Sequence, residues 1–89
     1  MEGKTWFVYM VQCCDGTIYT GITNDLQARI KKHNSGKGAK YTRSRTPVVL
    51  KAYWSFGLKS EAAKAEYAFK QLSRMEKMKM IRDYKKNLA

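Results

Sequence analysis

The chain has 89 residues, with 18 Lys or Arg against 7 Asp or Glu, and its net charge is +11. This length supports one domain with one modest core, and a hydrophobic content of 44% is that of a folded protein. No apolar run approaches the length of a membrane span, and the first residues do not form a secretion signal, so we expect a cytoplasmic protein without a membrane segment.

The excess of positive charge is the strongest global signal. Self-repulsion of this size opposes compaction, so the composition predicts a polyanionic partner. Nucleic acid is the first candidate, because the cations are spread over a loop and helices rather than gathered on one amphipathic segment. An anionic membrane surface and a charge that only keeps the protein soluble are the alternatives.

The first part of the chain predicts a β-hairpin. Residues 5–13 and 17–22 are rich in aromatic and β-branched side chains, and the first run is apolar on both faces. A two-residue turn would place Tyr9 and Tyr19 on opposite faces, because side chains alternate along a strand. A three-residue turn with Gly16 in the left-handed conformation places both phenols on one face, and we predict this second geometry.

The two cysteines, Cys13 and Cys14, are adjacent. Neighbours on a strand point to opposite faces, so a disulfide between them would be strained. They also lack the spacing and the partner ligands of a metal site. We therefore expect two free thiols and a reducing compartment.

A first helix is predicted to follow Asn24, which would act as its N-cap, and to run to His33. Leu26 and Ile30 form the apolar stripe of this helix. Arg29 precedes His33 by four residues, so these two side chains lie together on an adjoining face.

Residues 35–47, here called the basic loop, combine glycines and cations without an apolar run, so we expect a flexible loop. Cations suit phosphates and an aromatic ring suits a base, which is a pattern of nucleic-acid binding. The same composition is common in exposed loops that bind nothing. The expected nucleic-acid-binding residues are Lys37, Lys40, Tyr41, Arg43 and Arg45.

Residues 48–56 predict a third strand and the remaining residues predict two helices. One face of the strand would contain Val48, Leu50, Ala52, Trp54 and Phe56. Ser60 is the expected N-cap of the second helix, whose buried stripe would be Ala62, Ala65, Phe69 and Leu72. Ser73 and Glu76 form a capping box for a third helix to about Asn87, with Met75, Met78, Ile81 and Leu88 facing inward.

The order of these elements is strand, strand, helix, loop, strand, helix, helix. It predicts an α/β (α+β) fold, with a small three-stranded, mainly antiparallel sheet flanked by helices. Along this order, Val8-Tyr9 is followed by Tyr19-Thr20-Gly21, Arg29, His33 and the helical Glu66. The ordered set resembles the GIY-YIG nuclease superfamily, above all its small stand-alone bacterial members, over nearly the whole chain.

The resemblance implies a metal-dependent endonuclease that hydrolyses phosphodiester bonds, with DNA favoured over RNA as the substrate. It assigns Glu66 to a divalent cation, Mg²⁺ or Mn²⁺, for which oxygen ligands are preferred. Tyr19, assisted by Tyr9, would orient or deprotonate the attacking water. Arg29 would hold phosphoryl oxygens and His33 would relay a proton.

The resemblance also matches Lys40 and Tyr41 to a loop that contacts the scissile backbone. Two other functions stay open: a nucleic-acid-binding module with weak or no catalysis, and a nuclease subunit that needs an unknown protein partner to choose its substrate. Taken singly, the residues have plainer interpretations. The tyrosines would be ordinary strand aromatics, and Glu66 would be a surface partner of Lys70 at i,i+4.

Overall fold

The computed structural model describes the backbone of residues 5–88 and the side chains of residues 5–85. Its sheet has the order β2-β1-β3 with both pairs antiparallel, and the strands are β1 (Trp6–Gln12), β2 (Ile18–Thr23) and β3 (Val49–Phe56). The helices are α1 (Leu26–Asn34), α2 (Lys59–Lys70) and α3 (Arg74–Leu88). The predicted fold class is confirmed. Within the described residues, no helix has the length and apolarity needed to cross a membrane.

The hairpin between β1 and β2 has the predicted three-residue turn. The Cys13 amide donates to the Thr17 carbonyl at 2.8 Å, and Gly16 has a φ of 87°. In this register Val11 pairs with Tyr19, so Tyr9 and Tyr19 lie on the same face of the sheet. The prediction that both phenols share a face is confirmed.

The central strand β1 is covered on both faces, as its apolar sequence predicted. Four consecutive side chains are fully buried, namely Val8, Tyr9, Met10 and Val11. One face packs against α1 through Leu26 and Ile30. The other face packs against α2 and α3 through Phe69, Met78, Met80, Ile81 and Tyr84. The core therefore consists of two layers, separated by the sheet.

The prediction that β3 presents one continuous apolar face is wrong. Met10 pairs with Ala52 and Val11 pairs with Leu50, so Lys51 is an extra residue on β3, which makes a β-bulge. The bulge reverses the alternation. Val48 and Leu50 join the Tyr9 layer, whereas Ala52 and Trp54 join the layer under α3.

Helix α1 begins one residue later than the sequence suggested. Its N-cap is Asp25, whose Oδ1 accepts from the Ala28 amide at 3.1 Å, so the assignment of the cap to Asn24 is wrong. The Thr23 hydroxyl accepts from the Asp25 amide at 3.0 Å. This bond closes a turn around Asn24 and leaves Asp25 as the residue from which the helix starts.

Two further expectations about the last helices need correction. Helix α2 has Leu58 as its N-cap, so Ser60 lies inside the first turn and does not cap it. The capping box of α3 is confirmed, because the Ser73 amide donates to Glu76 Oε1 at 2.8 Å and the Glu76 amide donates to Ser73 Oγ at 3.2 Å. Met75 is 80% exposed and does not face inward. The side chains of Asn87 and Leu88 lie outside the described residues.

We expect Asp25→Ala to lower the free energy of unfolding by about 1 kcal/mol, because it removes the side-chain acceptor at the N-terminus of α1. The matched control is Asn24→Ala, which we expect to change stability by less than about 0.5 kcal/mol. Urea denaturation of the two variants measures the difference. Equal losses in both would contradict the position of the cap.

Candidate active site

The Tyr9 hydroxyl lies at the centre of a buried polar cluster between β1 and α1. It is 2.7 Å from His33 Nε2, and Arg29 Nε donates to it at 3.3 Å. Tyr9 and His33 are each 0% exposed. Arg29 and His33 are one helical turn apart, so α1 directs both of them at the same phenol.

Thr42, from the basic loop, completes this cluster on the far side of His33. Its hydroxyl lies 2.7 Å from His33 Nδ1 and donates to the Ala39 carbonyl at 3.0 Å. Because the single Thr42 proton is used for Ala39, the Thr42 oxygen accepts from His33 Nδ1–H. His33 Nε2 is then unprotonated and accepts from the Tyr9 hydroxyl, whose oxygen accepts from Arg29. Every buried polar atom in this series has a partner.

Burial sets the protonation states of the cluster. Removal from water lowers the pKa of His33, and the positive charge of Arg29 lowers it further. Removal from water also raises the pKa of Tyr9, although the hydrogen bond from Arg29 opposes this. Both groups are therefore neutral at neutral pH, as the direction of the hydrogen bonds requires.

Two glycines make room for these rings. A Cβ on Gly21 would lie 2.6 Å from the Tyr9 hydroxyl, and a Cβ on Gly38 would lie 2.4 Å from His33 Nδ1. Both distances are far below a normal contact, and both neighbours are held by hydrogen bonds. The glycine of the Tyr19-Thr20-Gly21 motif is thus explained by the phenol that lies against it.

Tyr19 stands at the accessible side of the cluster. Its ring packs edge-on against His33 at 5.5 Å and stacks with Tyr41 at 5.9 Å. Tyr19 is half-buried, and within the described residues its hydroxyl makes no hydrogen bond. The two terminal nitrogens of Arg29 are likewise unbonded in the part of the chain described here. These groups are available to a ligand, whereas the hydroxyl of Tyr9 is not.

Glu66, on α2, lies near this cluster. Burial is the main cause of the raised pKa of Tyr9, and the negative charge of Glu66 adds to it. The Glu66 side chain is 22% exposed and pairs with Lys70 Nζ at 3.3 Å. Lys70 Nζ is in turn 5.6 Å from the Tyr19 ring centroid. The expected surface pair with Lys70 therefore exists, and it stands beside the tyrosines.

The donor set for a divalent cation is a single carboxylate. Residues 5–85 contain no group of three His, Cys, Asp or Glu side chains arranged to hold a metal. Mg²⁺ and Mn²⁺ accept such a site when water and a substrate phosphate supply the other oxygens. Glu66 Oε2 lies 3.3 Å from the Lys70 ammonium, so a divalent cation at this oxygen would take the place of that ion pair.

The basic loop is held in place rather than free, in contrast to the flexibility expected from its composition. Asn34 bonds both backbone groups of Val48, donating at 3.1 Å and accepting at 2.7 Å. Arg45 Nε donates to Asp15 at 2.9 Å, and the Arg45 guanidinium lies 4.1 Å from the centroid of the Tyr41 ring. Arg45 thus joins the loop to the hairpin turn.

The other predicted nucleic-acid-binding residues differ from Arg45. Lys37, Lys40 and Arg43 are exposed and form no ion pair within residues 5–85. Tyr41 is 39% exposed, and its ring contacts Tyr19 and Arg45. The structure therefore leaves three loop cations open to solvent beside the tyrosine cluster.

Sequence reasoning missed three members of the site: Thr42, Gly38 and Lys70. Thr42 lies in the basic loop, and nothing local marks it as the partner of a histidine nine residues earlier. Gly38 was counted as a sign of flexibility, although it lies against the His33 ring. The i,i+4 spacing from Glu66 predicted the ion pair with Lys70, but only as a surface pair and not as a neighbour of Tyr19.

Stability is expected to fall as the pH drops below about 6.5, because the unfolded chain binds a proton on His33 more readily than the folded chain. The loss continues until the pH passes the lowered folded pKa. His33 is the only histidine in the chain. The pKa values of Asp15 and Glu76 are lowered from ordinary values of 3.8 and 4.5, so these carboxyls affect stability at a lower pH than His33 does. Urea midpoints from about pH 7.5 to 5 measure the effect. A similar slope in His33→Gln would contradict it.

Comparison with known proteins agrees with this geometry. A model of the GIY-YIG catalytic domain matches residues 5–80. The chain is 59% identical over 70 residues to a UPF0213 protein of Halobacterium salinarum, covering 79% of this chain and 91% of the relative. It is 51% identical over 87 residues to a UPF0213 protein of Bacillus velezensis, covering 98% and 88%.

Two solution NMR structures have a similar fold. The UPF0213 protein from Bacillus halodurans has a TM-score of 0.56 at 52% identity, over 86% of this chain and 82% of that one. A protein from E. faecalis has a TM-score of 0.62 at 40% identity, over 93% and 88%. The chain therefore belongs to the GIY-YIG domain family, among its small UPF0213 members.

Proposed function

We propose that the protein is a metal-dependent endonuclease that hydrolyses phosphodiester bonds in DNA. The observation that supports this most directly is the contact of Tyr9, Tyr19 and Arg29, from three separate elements, in one polar cluster. Glu66, from a fourth element, pairs with Lys70, whose ammonium lies over the Tyr19 ring. A nuclease-type function fits the family, and the net charge of +11 fits a polyanionic substrate.

Arg29 is the proposed phosphate ligand. Its Nε is occupied by Tyr9, which leaves the two terminal nitrogens pointing away from a fixed anchor. A guanidinium held in this way binds a phosphoryl oxygen pair without losing much side-chain freedom. Tyr9 is then a positioning residue, because its hydroxyl is fully buried and it acts by holding Arg29 in place.

Tyr19 is the proposed partner of the attacking water. Its hydroxyl is the phenol of the pair that a substrate can reach, and Arg29 lies close to the same cluster. Both ring nitrogens of His33 are bonded to protein groups, so a proton relay from His33 would have to cross the buried Tyr9 hydroxyl. The proposed role of His33 is therefore to hold Tyr9 in place rather than to pass a proton directly to the substrate.

Glu66 is the proposed ligand of the divalent cation. A bound Mg²⁺ or Mn²⁺ would supply charge neutralisation at the phosphate and at the departing oxygen. Lys70 balances the charge of Glu66 in its absence.

The decisive variants are Arg29→Ala and Glu66→Ala, with Glu61→Ala as the control because Glu61 is an exposed carboxylate on the same helix. We expect each of the first two to lower cleavage on the order of 100-fold, because Arg29→Ala removes positive charge at the phosphate and Glu66→Ala removes the ligand of the cation. Glu61→Ala should retain full activity. The assay uses single-stranded, duplex, flapped and branched DNA, and matching RNA, with Mg²⁺, Mn²⁺ or EDTA.

Cleavage that survives EDTA, or that Glu66→Ala leaves intact, would contradict the metal-dependent mechanism. Binding without cleavage of any substrate would favour the second candidate, a nucleic-acid-binding module without effective catalysis. The exposed loop cations support that candidate independently of catalysis. Cleavage that appears only after a co-purifying protein is added would favour a subunit that needs a partner.

The basic loop should supply sequence-independent affinity. We expect the double change Lys40→Glu and Arg43→Glu to weaken binding to all DNA sequences alike and to lower the slope of log Kd against log salt by about 2. The control is Lys79→Glu with Arg82→Glu on α3, which alters the net charge equally. Fluorescence anisotropy over a salt series measures both. Equal effects of the two pairs would show that only total charge matters.

A further inference from the structure

A cleft next to Tyr19 is separate from the polar cluster. It has a volume of about 330 Å³ and lies where β2, the basic loop, α2 and α3 approach each other. We call it the lysine cleft. The residues that line it are Ile18, Tyr19, Thr20, Tyr41, Lys70 and Lys77.

Its charge is positive on two sides. Lys70 and Lys77 come from successive helices, and no carboxylate of residues 5–85 lines the cleft. Lys70 shares its charge with Glu66, whereas Lys77 has no ion pair within residues 5–85. Partial burial lowers the pKa of Lys77, and the charge of Lys70 lowers it further. The two ammonium groups thus repel each other where an anion would relieve the repulsion.

A buried hydroxyl adds a second, independent observation. Thr20 lines the cleft and is 1% exposed, and its Oγ1 has no hydrogen-bond partner among the residues the structure describes. Buried polar atoms are almost always satisfied by protein, by ordered water or by a ligand. An unpaired hydroxyl thus lies directly behind the wall of the cleft, and a small rearrangement of that wall would bring it to a polar occupant.

The aromatic wall connects the cleft to the site of chemistry. Tyr19 and Tyr41 form this wall, with their ring planes 21° apart. Tyr19 also packs against His33 and lies 6.4 Å, between ring centroids, from Tyr9. Tyr19 thus stands between a group bound in the cleft and a phosphate held by Arg29.

We propose that the lysine cleft binds a backbone phosphate of the substrate strand that flanks the scissile one, with Lys77 as its principal ligand and Lys70 shared between this phosphate and Glu66. The inference rests on the proposed function for the position of the scissile bond. The presence of an anion site depends only on the residues that line the cleft. Such a second phosphate contact would set the direction in which the strand crosses the site.

The test is binding in EDTA, so that cleavage plays no part. The probe is a fluorescein-labelled DNA duplex with a single-stranded 5′ arm, in which one phosphate at a time near the junction is replaced by a neutral methylphosphonate. We expect Lys77→Gln to weaken binding about five- to tenfold and to lower the salt slope by about 0.9. The control Lys79→Gln, an exposed neighbour on α3, should change Kd by less than about twofold.

One methylphosphonate position should weaken binding of the unaltered protein and have no effect on Lys77→Gln, because both changes remove the same contact. Lys77→Arg should retain the affinity, which separates lost charge from lost packing. Equal effects of Lys77→Gln and Lys79→Gln, or a methylphosphonate profile that Lys77→Gln leaves unchanged, would overturn the proposal. If no DNA is cleaved in Mg²⁺ while this profile holds, the proposed function fails and the phosphate site stands.

Discussion

The hydrogen bond between the Tyr9 hydroxyl and His33 Nε2 joins the central strand to the first helix inside the core. Two polar groups at 0% exposure are stable there only when all their bonding capacity is used. Arg29 supplies one remaining partner and Thr42 the other. This requirement fixes α1 and the basic loop relative to the sheet, and most of the site geometry depends on it.

The cluster is neutral inside and charged at its edge. Burial keeps Tyr9 and His33 uncharged, whereas Arg29, Glu66 and Lys70 place their charges where water and a substrate can reach them. Charges at such an edge act over a short range with little screening by solvent. A phosphate would thus meet oriented donors, and the interior would not have to reorganise.

The sheet separates two tasks. Its Tyr9 face, with α1 and the basic loop, provides the polar cluster, and its opposite face, with α2 and α3, provides most of the large apolar contacts. Helix α2 contacts both β1 and β2, so Lys70 lies over the Tyr19 ring with Glu66 paired to it. The edge position of β2 keeps Tyr19 accessible, whereas the central position of β1 buries Tyr9.

Local patterns in the sequence determined the strands, the three-residue turn at Gly16 and the capping box at Ser73 and Glu76. Each of these depends on residues within a few positions of one another, where alternation and backbone preference decide. The resemblance to GIY-YIG nucleases predicted the candidate site residues, which are Tyr9, Tyr19, Arg29, His33 and Glu66. Only the folded structure shows how close these side chains lie to one another.

Tertiary contacts decided the rest. The bulge at Lys51 reverses the apolar alternation of β3, and only the pairing with β1 reveals it. Thr42 became the partner of His33 because the loop folds back over α1, and Lys77 came to line the same cleft as Lys70 because α2 and α3 pack on the same face of the sheet. Such contacts join residues far apart in the chain, so periodicity and local propensity contain no record of them.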